Sequence, residues 1–322
     1  MTIDIGYHAS HEQFPPSQLL RWAQDAARAG FSAALSSDHF HPWSERQGES
    51  GFAWSWLGAA MQATSLGFGV VCAPGQRYHP AVVAQSCATL AEMFPGRFFI
   101  AAGSGQLLNE GITGARWPSK DERNARLREC VDVMRALWRG ETVSRRGLVR
   151  VEQARLYTRP ATPPPIIGAA VTARTAAWVG EWADGLITVS RPPDQLREVV
   201  DAFRGAGGEG KPMFLKVQLS YARTDEEARR GAWEQWRTNV FPNRVLTELR
   251  APADFDAAAE LVAPDDLDES VRISADAECH VEWLSKDVEL GFSRLFLHNV
   301  NREHARFIED FGERVIPALR RA

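Results

Sequence analysis

Short apolar runs alternate with longer amphipathic stretches from one end of the chain to the other. Residues 3–7 open with a strand-like run. Residues 17–28 follow with apolar positions at helical spacing, between Pro15-Pro16 and Gly30. The unit then repeats. Strands are predicted at 31–36, 67–73, 98–102, 166–170, 185–189, 213–221 and 294–298, with helices at 56–64, 80–94, 120–138, 172–182, 196–203 and 303–319. Helix 120–138 is the longest and sets Leu127, Val131, Met134, Leu137 and Trp138 on one face. Two segments break the rhythm. Residues 142–157 alternate apolar and polar around Arg146-Gly147, which predicts a β-hairpin insertion. Residues 224–290 are helix-rich and acidic with no clear strand, an elaboration between strands seven and eight. Eight strand–helix units with short connections predict an α/β fold, a closed (β/α)8 TIM barrel with insertions, with residues 1–322 forming a single domain.

Composition narrows the function. With 322 residues, 44% of them hydrophobic, the chain can bury the large core that a barrel needs. A formal net charge of -4, with basic pairs such as Arg145-Arg146 and Arg320-Arg321 too short to form a basic face, argues against a nucleic-acid partner. No apolar stretch reaches the roughly 18 residues of a membrane helix, so no membrane partner is expected. The start Met1-Thr2-Ile3-Asp4-Ile5-Gly6 lacks the pattern of a secretory signal, which points to the cytoplasm. Cys72, Cys87, Cys130 and Cys279 lie far apart with no Cys-x-x-Cys, reading as reduced thiols rather than zinc ligands.

In such a barrel the chemistry sits at the carboxyl ends of the strands. These ends should present His8, residues 38–43, Val70-Val71, residues 103–109, 169–172 and 188–191, and His298-Asn299. That set is wide, mostly uncharged and aromatic on one side, which suits a flat conjugated cofactor better than a small hydrophilic sugar. The densest stretch is Leu35-Ser36-Ser37-Asp38-His39-Phe40-His41-Pro42-Trp43. It also holds His39-x-His41, a possible metal pair.

Ser37-Asp38-His39-Phe40-x-Pro42-Trp43, Arg77-Tyr78-His79-Pro80, Phe94-Pro95-Gly96-Arg97 and Gly103-Ser104-Gly105-x-x-x-Asn109-Glu110 resemble the luciferase-like flavin and deazaflavin oxidoreductases. The subgroup most resembled is the glucose-6-phosphate dehydrogenases that use coenzyme F420, a deazaflavin. Leu127-Arg128-Glu129, Ala183-Asp184-Gly185 and Leu297-His298-x-x-x-Arg302 continue the match. The resemblance implies hydride transfer at a ring held in the barrel mouth, and a homodimer. It places Asp38 and His39 beside ring and substrate, with His39 as general base and Trp43 walling the pocket. Val70 and Val71 would lie beneath the ring, and Asn109 and Ser190 would meet the cofactor. Ala169, Ala170, Val171 and Thr172 would offer backbone N–H groups to its phosphate. His8, Trp43 and His298 would line the substrate pocket.

Three departures bear on the cofactor. Gln106 stands where the deazaflavin dehydrogenases have a proton-donating Glu, and an amide is no general acid. Val171-Thr172 replaces a pair of glycines. Ser190-Arg191-Pro192 lacks the lysine that helps to hold a sugar phosphate, and Lys286 is the sole lysine between 217 and 322. The expectation is therefore FMN, with coenzyme F420 as the alternative, and a small organic substrate other than glucose 6-phosphate, either dehydrogenated or oxygenated. On that reading His39, Trp43 and Gln106 are the catalytic set. A metal-dependent hydrolase using His39, His41 and His298 is the rival, although strands three to six end in Cys72, Gly103, Ala169 and Thr188 and leave its ligand set incomplete. A flavin-binding protein without turnover is a third reading. His41 and His79, each near a proline, read as structural; Trp54 and Trp56 read as core or dimer contacts; Arg174 reads equally as a phosphate ligand or a solvated helix face.

Overall fold

A computed structural model describes residues 3–321. Eight parallel strands, β1 (Asp4–Ala9), β2 (Ala33–Ser37), β3 (Gly67–Cys72), β4 (Phe98–Ala102), β5 (Ile166–Ala169), β6 (Gly185–Val189), β7 (Met213–Ser220) and β8 (Arg294–Asn299), pair in sequence order. The ring closes where β8 pairs with β1, Leu297 opposite Tyr7. Helices α1 (Pro16–Arg28), α2 (Ala53–Ala63), α3 (Pro80–Met93), α4 (Lys120–Trp138), α5 (Ala173–Gly180), α6 (Pro193–Phe203), α7 (Asp225–Trp236), α8 (Ala277–Glu289) and α9 (His304–Asp310) surround it. This is the predicted (β/α)8 barrel.

The strands are buried on both faces, which is why they read as near-continuous apolar runs. Outward-facing residues such as Val70, Ile100 and Leu215 pack against the helices, while Leu35, Phe99, Ile167, Phe214 and Phe296 fill the lumen. The three phenylalanines form a plug with ring centroids 5.2–6.1 Å apart. Two glycines make room for it: a Cβ on Gly69 would run into the Phe99 ring and one on Gly6 into Phe296. The plug closes the lower lumen, so open space is left at the carboxyl ends of the strands.

The hairpin insertion forms as expected, with Val143–Arg146 antiparallel to Arg150–Ala154. The 224–290 region differs in one respect. Arg272–Ile273 adds a two-residue parallel strand beside Leu219 and Ser220 of β7. Two residues are too few for an alternation to show in sequence. The region also builds the wall above the barrel: Trp236, Leu267 and Val271 pack on Val300, and Phe255 joins Trp43 and Leu108.

Candidate active site

A cavity of about 1460 Å³ opens at the carboxyl ends of the strands, above the phenylalanine plug. The chain leaves β1 through Ser10-His11-Glu12-Gln13, all buried. Oε2 of Glu12 accepts hydrogen bonds from the hydroxyls of Ser10 and Ser37, each 2.8 Å away. Its other oxygen, Oε1, lies 2.6 Å from Nδ1 of His39. A carboxylate only accepts, so Nδ1 carries the proton and Nε2 keeps a free lone pair. Burial alone would raise the Glu12 carboxyl, but the adjacent His39 holds it well below the usual carboxylate range. Trp43 meets the His39 ring edge-on at 5.1 Å and is itself backed by Phe255 at 5.4 Å. A base is thus fixed in tautomer and direction.

His8 and His298 pack beside this group, their rings tilted by 51° with centroids 4.5 Å apart. The Gln13 amide donates to Val300 O at 2.7 Å, which turns its Oε1 toward Nε2 of His298 at 2.9 Å. His298 therefore carries its proton on Nε2, and its Nδ1 has no partner; Nδ1 of His8 has none either. Burial lowers both well below the ordinary histidine range, so both rings are neutral at pH 7. Lys216 of β7 lines the same side of the cavity, its Nζ 5.0 Å from the Trp236 ring centroid.

The opposite wall is knitted together. Asp38 was expected beside the ring, yet its carboxylate accepts from Tyr78 Oη at 3.0 Å and lies 3.3 Å from the Arg77 guanidinium. Arg77 also lies 3.4 Å from Glu110 and donates its backbone N–H to it at 2.9 Å. Asp38 lines the cavity but is engaged in anchoring its loop. Asn109 likewise uses Oδ1 to accept from the backbone N–H of Phe40 and His41, at 2.8 and 3.2 Å, which ties the β4 loop to the β2 loop.

Two expected cofactor contacts fail. Val70 is fully buried toward the helices, because side chains alternate along a strand; Val71 is the residue that faces the cavity. The N–H of Ala170 is bonded to Ile187 O at 3.0 Å and is not free for a phosphate. Ala169, Ala170, Val171 and Thr172 all line the cavity. Thr172 caps α5, its hydroxyl accepting from Thr175 N, and its backbone is ordinary extended structure (φ -133°), so this loop does not require glycine. Gln106 lines the cavity with no hydrogen bond to its side chain. Ser190 faces the cavity and exchanges hydrogen bonds with Gln218, 2.7 Å to Oε1 and 3.1 Å from N.

The metal pair does not form. His41 turns Nδ1 onto Leu108 O at 2.8 Å, away from His39, and among the described residues no three His, Cys, Asp or Glu side chains gather as ligands. His79 caps α3 and holds Arg150 O at 2.8 Å, a structural role. Trp56 is buried and donates to Pro16 O, and Trp54 packs near Phe98. Arg174 pairs with Asp121 at 3.2 Å on an exposed rim. Sequence reading missed Glu12 and Lys216. Lys216 had a signal, being the lone charge within the apolar run 213–221; Glu12 had none, since its loop becomes interior only when the barrel closes.

The chain belongs to the family described as luciferase-like monooxygenase, whose model matches residues 1–294. It is an oxidoreductase of that family. Over 99% of its length it is 34% identical to the F420-dependent glucose-6-phosphate dehydrogenase of Intrasporangium calvum, of which 99% is covered. The enzyme of the same name from Kribbella flavida is 35% identical, with 100% of this chain and 99% of the relative covered. Among solved structures, an F420-dependent secondary alcohol dehydrogenase bound to an F420–acetone adduct superposes with a TM-score of 0.91 at 31% identity, covering 99% of both chains. These relatives are named for F420; the expectation of FMN finds no support among them.

The lining of the cavity suits a flat, flavin-like ring with an anionic tail. Its volume exceeds the roughly 300–1,000 Å³ of an ordinary ligand pocket. Val71, Ala169 and Ile187 give a flat ring an apolar surface. The Thr188 hydroxyl and Arg191 Nε are buried without partners and line the same space. Lys120, Arg174 and the amino terminus of α5 provide positive charge at the rim for an anionic tail.

Proposed function

We propose that this protein is a coenzyme F420-dependent dehydrogenase that interconverts a small alcohol and its carbonyl compound. The observation that carries the reading is the Glu12–His39 contact of 2.6 Å at the edge of a cavity wide enough for cofactor and substrate together. The relatives' names supply the cofactor class, and the alternative of F420 over FMN raised by the sequence is the one adopted. Val71, Gln106, Asn109, Ala169, Val171, Thr172, Thr188 and Ser190 would hold the deazaflavin, with Trp43, His8 and His298 facing the substrate. When bound, F420 accepts a hydride.

The residues of the chain perform the remaining steps. Nε2 of His39 takes the hydroxyl proton as the carbon–hydrogen bond breaks, its electron pair leaving as hydride and the C=O bond forming. Glu12, anchored by Ser10 and Ser37, keeps Nδ1 protonated and balances the imidazolium that results. Trp43 and Phe255 restrict His39 to one orientation and keep water from its face. The lone pair of Nε2 is available before substrate arrives, so no rearrangement precedes proton transfer.

Titration of the apoprotein with F420 and with FMN, followed by fluorescence, tests the cofactor. Tighter F420 binding is expected, and tighter FMN binding overturns the reading. Turnover of secondary alcohols with F420, followed by loss of its visible absorbance, tests the reaction.

A further inference from the structure

Lys216 has no assigned task. It stands on β7 two residues above Phe214 of the plug, with Phe296 opposite it in register, so it rises from the cavity floor. Its ammonium group has no hydrogen-bond partner and no carboxylate within 4 Å among the described residues, although it lines the cavity. Nearby stand Trp236, the neutral His8 and His298, and, farther off, Glu12. Burial lowers this lysine to about 8, which leaves it largely protonated at pH 7. A desolvated ammonium without an anion is costly, and the structure offers it the face of Trp236 but no carboxylate partner.

We infer that Lys216 is the specificity-determining residue of the substrate pocket and that it receives a carboxylate carried by the substrate alcohol. This deepens the dehydrogenase reading above and rests on it. The floor supplies one cation, enough for a carboxylate but not the cluster that a phosphate dianion needs. His298 contributes no positive charge, and its unpartnered Nδ1 is a lone pair open to a second substrate hydroxyl. The aromatic faces of Trp43 and Trp236 surround the remaining substrate body. The substrate class is thus a hydroxy acid, oxidised to an oxo acid.

The test uses holoprotein loaded with F420 and three acid–amide pairs of matched shape: lactate and lactamide, 2-hydroxybutyrate and its amide, mandelate and mandelamide. Calorimetric binding and turnover are both measured. At least tenfold tighter binding and higher kcat/KM for the acid of one or more pairs is expected, and equal or weaker binding of the acid in every pair overturns the inference without variants. Lys216→Met should erase the preference by raising KM for the acid with little change for the amide, and Lys216→Arg should retain part of it. An acid preference that survives in a folded Lys216→Met protein assigns the carboxylate elsewhere and also overturns the inference. Failure of F420 to bind at all is a separate result, which defeats the dehydrogenase reading; turnover of neutral alcohols alone defeats only the carboxylate.

Discussion

The two walls of the cavity are built on opposite plans. On the β1–β2–β4 side the carboxylates are engaged: Glu12 has three close contacts, Asp38 and Glu110 share Arg77, and Asn109 staples two loops, while Nδ1 of His8 and of His11 is left without a partner. On the β6–β7–β8 side the Thr188 hydroxyl, Arg191 Nε and His298 Nδ1 stand without any, and Lys216 Nζ meets only the face of Trp236. A saturated wall is rigid and suits a base that must be aimed before the substrate arrives. An unsaturated wall stores donors and acceptors whose desolvation is offset only when a ligand comes. Catalytic geometry and ligand recognition are therefore separated across one cavity.

The sharpest way to break this contrast is to remove the base. His39→Ala should lower kcat by roughly 10²–10⁴-fold, the usual loss for a positioned acid–base group, while F420 affinity stays within a few-fold. Unchanged turnover in single-turnover absorbance traces would return His39 to a structural role. Glu12→Gln should come next, with a loss on the order of 10–100-fold in kcat and little change in KM, since the amide fills the same space but leaves the imidazolium unbalanced. A shifted pH–rate profile distinguishes this from general loosening, which would move KM as well.

Acid stability tests the same wall. The folded Glu12 carboxyl is held low, so its contribution is present above the unfolded value near 4.3 and is lost as pH falls below it. His11, His280 and His304 are buried and lowered to about 4. The unfolded chain binds protons at these sites from about pH 6.5 downward, so their contribution drains away between about 6.5 and 4. The melting temperature should fall steadily across that window and then more steeply below it, and Glu12→Gln should flatten the lower limb. A melting temperature independent of pH from 7 to 4 would contradict the neutral burial of these imidazoles.

Legibility in the sequence followed the same division. The barrel was readable because its strands are apolar runs and its helices are periodic, signals that are local. His39 and Trp43 were readable because a dense polar cluster after an apolar run marks a strand end. Val70 and Val71 could not be separated without the strand's phase, and the burial of one and exposure of the other follows from a two-residue alternation. The spent N–H of Ala170 depends on β6, which lies farther along the chain. Glu12 acquires meaning only through Ser37 and His39, more than twenty residues away. Lys216 was visible as an isolated charge, yet its lack of a partner is a property of three dimensions.

The smallest expected effect concerns Gln106, which follows β4 and lines the cavity. It sits at the start of the short helix Leu107–Glu110, and no hydrogen bond fixes its side chain. An amide there can donate to a ring nitrogen or oxygen but cannot give up a proton. Gln106→Glu places a carboxyl in the same partly buried position, where desolvation raises its affinity for a proton and makes it a usable acid near neutrality. An ionised carboxylate there would oppose negative charge on a reduced ring, and two like charges 4 Å apart cost about 4 kcal/mol at an effective dielectric near 20, which favours the protonated form further. Turnover with F420 should therefore rise a few-fold, with a new acidic limb in its pH profile, and stability should hardly change. Identical rates and identical profiles for the two proteins would mean that residue 106 does not face the ring.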